Sequence, residues 1–100
     1  MDSNDLDSYK PLFLQSANKN LERLKDLLIQ SPADIQELYR LFHTVKGQGF
    51  FMGYQVVGEN ALKGEKILRE LMENHQSLDE NIKKELMRLI DLIYIELKKI

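Results

Sequence analysis

Residues 43–53 read HTVKGQGFFMG, with glycine at positions 47, 49 and 53. Whether this stretch is loop or helix decides the fold. A glycine in a helix interior costs about 1 kcal/mol against alanine, which argues for a loop. The residues around it argue the other way. Ile35, Leu38, Phe42, Val45, Gly49 and Met52 step by three and four without a skip, so one stripe runs straight through the motif. The stretch is therefore read as the second half of a helix that ends near Phe51, before Gly53. Something must then come close to its backbone, or need to.

Working outward, the same period recurs three more times. Upstream, Phe13, Ala17, Leu21, Leu24 and Leu28 mark a first helix from about Tyr9 to Ile29, with Pro11 in its first turn. About residues 1–7, before it, are the segment expected to be disordered. In SPAD (31–34), Ser31 is placed as the cap of the second helix, Pro32 at its first position and Asp34 at the positive end of its dipole. Downstream, Val57, Ala61, Gly64, Leu68 and Leu71 give a third helix from near Tyr54 to near Glu73. Ser77 and Glu80 read as a capping box for a fourth, whose core face is Ile82, Leu86, Leu89, Ile93, Leu97 and Ile100. Strand-like alternation is missing. Four amphipathic helices with short connections predict an all-α, antiparallel up-down-up-down four-helix bundle, one domain over residues 1–100.

Composition excludes several functions. Hydrophobic residues make up 43% of the 100, charged residues 30%, and the net charge is −2. That is an ordinary globular balance with no general footprint for nucleic acid or acidic membranes. No apolar run approaches the ~20 residues of a membrane span. The absence of cysteine removes disulfides, thiolate catalysis and zinc-thiolate sites. The acidic start, MDSNDLDSYK, is unlike a signal peptide, and a cytoplasmic location is expected. His43 and His75 are far apart, with no ligand spacing between them, so no metal site is expected.

On a helix His43, Lys46 and Gly47 share one face, with Tyr39 and Arg40 a turn before and Phe50 a turn after. That face borders the apolar stripe, so His43 belongs at the bundle's edge. Imidazole is a nucleophile at neutral pH, able to take a phosphoryl group on one nitrogen while the other is held by a hydrogen bond. Beside a phosphoryl group Lys46 would supply a point charge, and Gly47 would let a partner's active site reach the ring. Tyr39, Arg40, Phe50 and Phe51 are candidates for the docking surface. Gly49 and Gly64 read as packing positions, Gly53 as a turn glycine, Gly58 as a tolerated helix glycine, and His75 as a solvated turn residue.

HTVKG followed by QGFFMG, on the second of four helices, resembles the histidine phosphotransfer (HPt) domain, most closely the one at the N-terminus of chemotaxis-type histidine kinases. The resemblance spans nearly the whole chain. It implies that His43 is the phosphoacceptor, charged by a histidine kinase catalytic domain and discharged to the aspartate of a response-regulator receiver domain. It implies that Lys46 and Gly47 are the matching lysine and glycine. It implies too that Glu65, on the third helix, bonds the other ring nitrogen and fixes the tautomer. Such a carrier has no ATP site or cofactor of its own, and Mg²⁺ is expected only in the partner's active site. A further histidine common in the chemotaxis branch is replaced here by Leu62. A stand-alone protein and the substrate domain of a larger kinase look alike at this level, and an end on a helix at Ile100 fits a chain cut at a domain boundary. The competing reading is a non-catalytic interaction module in which His43 is never phosphorylated. Exposure of the His43 ring discriminates between the two: a buried or salt-locked ring favours the second.

Overall fold

A computed structural model describes residues 3–100 of the chain, with side chains from Leu6 onward. It contains four helices: α1 (Ser3–Leu28), α2 (Ile35–Phe51), α3 (Gln55–Glu73) and α4 (Glu80–Lys98). They form an antiparallel up-down-up-down bundle. Each helix packs on its neighbours in sequence and α4 closes on α1, while the diagonal pairs do not meet among the described residues. The shape is elongated, 44 × 22 × 17 Å. The long axis accommodates α1, whose 26 residues span about 39 Å at 1.5 Å each.

The core is made by the stripes expected of it. Phe13, Ala17, Leu21, Leu24 and Leu28 of α1 are buried with Leu38, Phe42 and Val45 of α2. Val57, Ala61, Leu68 and Leu71 of α3 join Leu86, Leu89, Ile93 and Leu97 of α4. Ile35, Ile82 and Ile100, at the stripe ends, are only half-buried.

The helix starts differ from expectation at three places. α1 begins at Ser3 rather than Tyr9, and Pro11 lies inside it. Proline withholds an N–H from the helix and costs about 3 kcal/mol in an interior position. Leu6 lies seven residues before Phe13 on the same stripe and packs against the core, so burial carries the helix back through the proline. The expectation of disorder over residues 1–7 falls partly on Met1 and Asp2, which lie outside the described residues. The cap of α2 is Asp34 rather than Ser31: its carboxylate accepts the N–H of Glu37 at 3.0 Å. The cap of α4 is Asp79 rather than Ser77, accepting the N–H of Ile82 at 2.8 Å. In both cases the chain turns helical only where the first stripe residue, Ile35 or Ile82, can be packed, and the aspartate standing there outcompetes the earlier serine.

Two turns use one hydrogen-bond scheme. After α2 the N–H of Tyr54 reaches the carbonyl of Gly49 (2.9 Å) and that of Gly53 the carbonyl of Phe50 (3.0 Å). After α3 the N–H of Gln76 reaches Leu71 (2.9 Å) and that of His75 reaches Met72 (3.3 Å). Both are Schellman motifs, which need a left-handed residue at the stop. Gly53 supplies it at φ 78°, and His75 supplies it at φ 53°. The Phe13 and Tyr54 rings, with centroids 5.2 Å apart, pin the first turn against α1.

Candidate functional site on the seam between α2 and α3

Three small residues set how α2 lies on α3. A Cβ built on Gly49 would stand 2.9 Å from the backbone nitrogen of Gly58, so the two backbones meet there with no room for a side chain. A Cβ on Gly58 would strike the Phe50 ring at 2.5 Å, and one on Gly64 would strike the Phe42 ring at 2.6 Å. Gly58 is therefore a packing residue and not merely a tolerated one. The Phe42 ring in the notch of Gly64 has a direct consequence. Each is followed by a polar residue, His43 and Glu65, so the register that seats the ring brings these two together.

Glu65 is the buried polar centre of this seam, only 1% exposed. Its Oε2 accepts from Nδ1 of His43 at 3.1 Å and from Nζ of Lys46 at 2.8 Å. Its Oε1 accepts from Nη2 of Arg69 at 2.6 Å. Burial alone would raise the carboxyl pKa and is the largest single influence. The hydrogen bonds from Lys46 and His43, with their charges, together outweigh it, and the pKa lies below its ordinary value. Glu65 is thus a carboxylate at neutral pH, with both oxygens occupied.

His43 is held on one side only. With Glu65 as acceptor, Nδ1 carries the proton and Nε2 is left with its lone pair. The imidazole side chain is 58% exposed, and Nε2 has no hydrogen-bond partner among the described residues. The Tyr39 ring stacks near it, with centroids 6.1 Å apart and planes 16° from parallel. Lys46 is more covered, at 21%, because its stem lies along the seam to reach Glu65. Gly47 faces open space: a Cβ there would meet no atom within 4 Å.

The remaining sequence candidates are less tightly gathered. Arg40 is exposed and forks onto Glu37, one turn back, with Nε to Oε2 at 2.9 Å. Phe50 leans over Gly58 with part of its ring outside, and Phe51 is exposed. Phe51 also lines an apolar groove of about 490 Å³ between α1 and α2, with Tyr9, Leu12 and Met52. His75 is an exposed turn residue, away from this network. Leu62, one turn before Glu65, is apolar and half-buried. Arg69 was not among the expected site residues. The signal was available: an arginine four residues after Glu65 faces the same side of α3.

Among the described residues no group of three His, Asp or Glu side chains could hold a metal ion. No helix among the described residues is long and apolar enough to cross a membrane.

The family model of the Hpt domain matches residues 9–97. Two curated proteins, both described as chemotaxis protein CheA, from Listeria monocytogenes and Listeria innocua, are each 31% identical over 89 residues. Those alignments cover 83% of this chain and 13% of the relatives, so the chain spans a small part of their length. No solved structure gives a significant match. A family match that takes in the whole four-helix core, with an exposed histidine backed by a buried carboxylate on its second helix, leads to one conclusion: the chain belongs to the Hpt domain family.

Proposed function

We propose that this histidine phosphotransfer module uses His43 as its phosphoacceptor, taking the group from a histidine kinase catalytic domain or a receiver and passing it to a response-regulator aspartate. The observation that supports this best is the half-free ring: Nδ1 bonded to a buried carboxylate, and Nε2 unpartnered on a largely exposed imidazole. In loading, the Nε2 lone pair forms a bond to the γ-phosphorus of ATP held by the kinase domain, and the bond to the ADP oxygen breaks. ADP leaves with that electron pair. In unloading, an aspartate oxygen of the receiver forms the new bond to phosphorus, and the electrons of the N–P bond return to Nε2. Glu65 keeps the proton on Nδ1 throughout and offsets the positive charge the ring acquires when Nε2 is substituted. Lys46 is within reach of the same place and can turn its ammonium to the phosphoryl oxygens. Gly47 leaves the approach clear.

In this reading the chain is a phosphocarrier and not a kinase. It needs no cofactor, and any Mg²⁺ belongs to the partner's active site. Its partners are proteins, with no nucleic acid or membrane among them. It works in the cytoplasm beside its ATP-using donor. Tyr39, Arg40, Phe50 and Phe51 form the surface on which they dock.

The test is phosphate uptake. The wild type and His43→Gln are incubated with a kinase catalytic domain and labelled ATP, and the product is challenged with acid and with base. Label on the wild type alone, lost in acid and kept in base, is the expected result. Equal label on both proteins would remove His43 from the mechanism and leave an interaction module.

A further inference from the structure

Resting on the phosphoacceptor reading, we propose that Arg69 is a positioning residue for that chemistry: it holds the Glu65 carboxylate in place and balances its charge, so that Lys46 is free to leave it for the incoming phosphoryl group. The argument starts from the two oxygens of Glu65. Oε2 is shared by His43 and Lys46, and Oε1 is bonded to Arg69 alone. On α3 the position one turn earlier is Leu62, which offers no donor. Arg69 is thus the one cation that α3 itself brings to the carboxylate among the described residues.

Consider the buried carboxylate without it. Oε1 would lose its charged donor and be left to water, a weaker partner than the guanidinium. The carboxylate would turn to share its remaining donors, and the line from Oε2 to Nδ1 would no longer be fixed. Lys46 would be the only full cation left on Glu65, and moving it to a phosphoryl group would strand a buried anion. With Arg69 present, Lys46 can move at little cost, because Oε1 stays paired and His43 still donates to Oε2. Arg69 also reaches the histidine from the other side. Its guanidinium lies 5.9 Å from the centre of the Tyr39 ring, which in turn stacks along His43. One side chain therefore braces both the carboxylate and the ring that flank the imidazole.

The test separates this role from a plain surface ion pair and from the docking of partners. Phosphoramidate serves as the donor, so no partner protein takes part. Nε2 forms the bond to phosphorus, the P–NH₂ bond breaks, and the leaving nitrogen takes a proton to depart as ammonia. Uptake rate is measured for the wild type, Arg69→Ala, Arg69→Gln and Arg69→Lys, and the tautomer of His43 is read from its ring ¹⁵N shifts. Arg69 is 46% exposed, so these changes spare the core, and the helical circular dichroism signal checks that each variant folds. The expected result is a loss of the Nδ1–H preference in Arg69→Ala and Arg69→Gln. A rate about tenfold lower should accompany it, the low end of what outer partners of a working histidine contribute at metal sites. Arg69→Lys should restore most of both. An unchanged tautomer in Arg69→Ala and Arg69→Gln would overturn the proposal, and so would a changed tautomer with an unchanged rate. If the wild type takes no phosphate on His43, the phosphoacceptor reading fails by itself. The tautomer comparison then still decides whether Arg69 positions the ring.

Discussion

The two sides of α2 use glycine for opposite reasons. Toward α3, Gly49 meets Gly58 backbone to backbone, and Gly64 of α3 receives the Phe42 ring, so no larger residue fits. Toward solvent, Gly47 has nothing within 4 Å of where its Cβ would be. The first group is explained inside the molecule. The second is not, because an exposed helix position with open space favours alanine by about 1 kcal/mol. In the proposed function this glycine leaves its neighbour His43 open to a partner.

The contrast can be broken most forcefully at the seam. Gly49→Ala should destabilise the protein by roughly 1–3 kcal/mol, because the new methyl presses on the backbone nitrogen of Gly58 and on the buried Val57 side chain, both 2.9 Å away. Chemical denaturation measures this, and an unchanged midpoint would mean the helices are not in close contact. Acid sharpens the same point through Glu65. Its folded pKa is lowered from 4.5, so its contribution to stability is fully present above that value and is lost as pH falls through the lower, folded one. Glu65→Gln should flatten stability against pH in that acid window, and a slope equal to the wild type's would show that another carboxylate is responsible.

On the solvent side the sign reverses. Gly47→Ala should raise stability by about 1 kcal/mol. Labelling by phosphoramidate should be kept, while uptake from a kinase domain falls. A variant that is more stable and equally good with the kinase would deprive Gly47 of its access role. The smallest effect is expected where a glycine is missing. His75 sits at φ 53° in the turn that mirrors the one at Gly53, and left-handed backbone disfavours a residue with a Cβ. His75→Gly should add up to about 1 kcal/mol, with phosphate uptake unchanged. A fall in uptake would give that turn a function its geometry does not suggest.

The parts of this molecule that were legible in the sequence are those fixed by one helix alone. The unbroken stripe from Ile35 to Met52 is enough to read helix through two glycines, Gly47 and Gly49, and the shared face of His43, Lys46 and Gly47 follows from helical spacing. Helix starts were harder, since each connection offers more than one capping oxygen. Ser31 and Asp34 compete, as do Ser77 and Asp79, and tertiary burial of Ile35 and Ile82 decides. The start of α1 was missed because the local rule for Pro11 is overridden by the packing of Leu6. Contacts between helices depend on register, which no single-helix pattern contains. Glu65 was reached only through family resemblance, and the need for Gly58 lies in a ring eight residues away on another helix. Arg69 was readable as an i+4 partner of Glu65, but only once Glu65 was known to be buried.

Were His43 to carry a phosphoryl group, the three charges gathered at this corner would mark the loaded state. Lys46 and Arg69 set against Glu65 leave one surplus positive charge while the His43 ring is neutral. A phosphoryl group at the site would add a charge of about −1.5 to −2 and reverse the sign of the patch. At physiological salt such a reversal is felt over about 8 Å, comparable to the reach of a docking surface. An empty carrier would draw in an anionic nucleotide-bearing donor, and a filled one would repel it. Turnover would then be driven by the cargo itself, and added salt would blunt the preference.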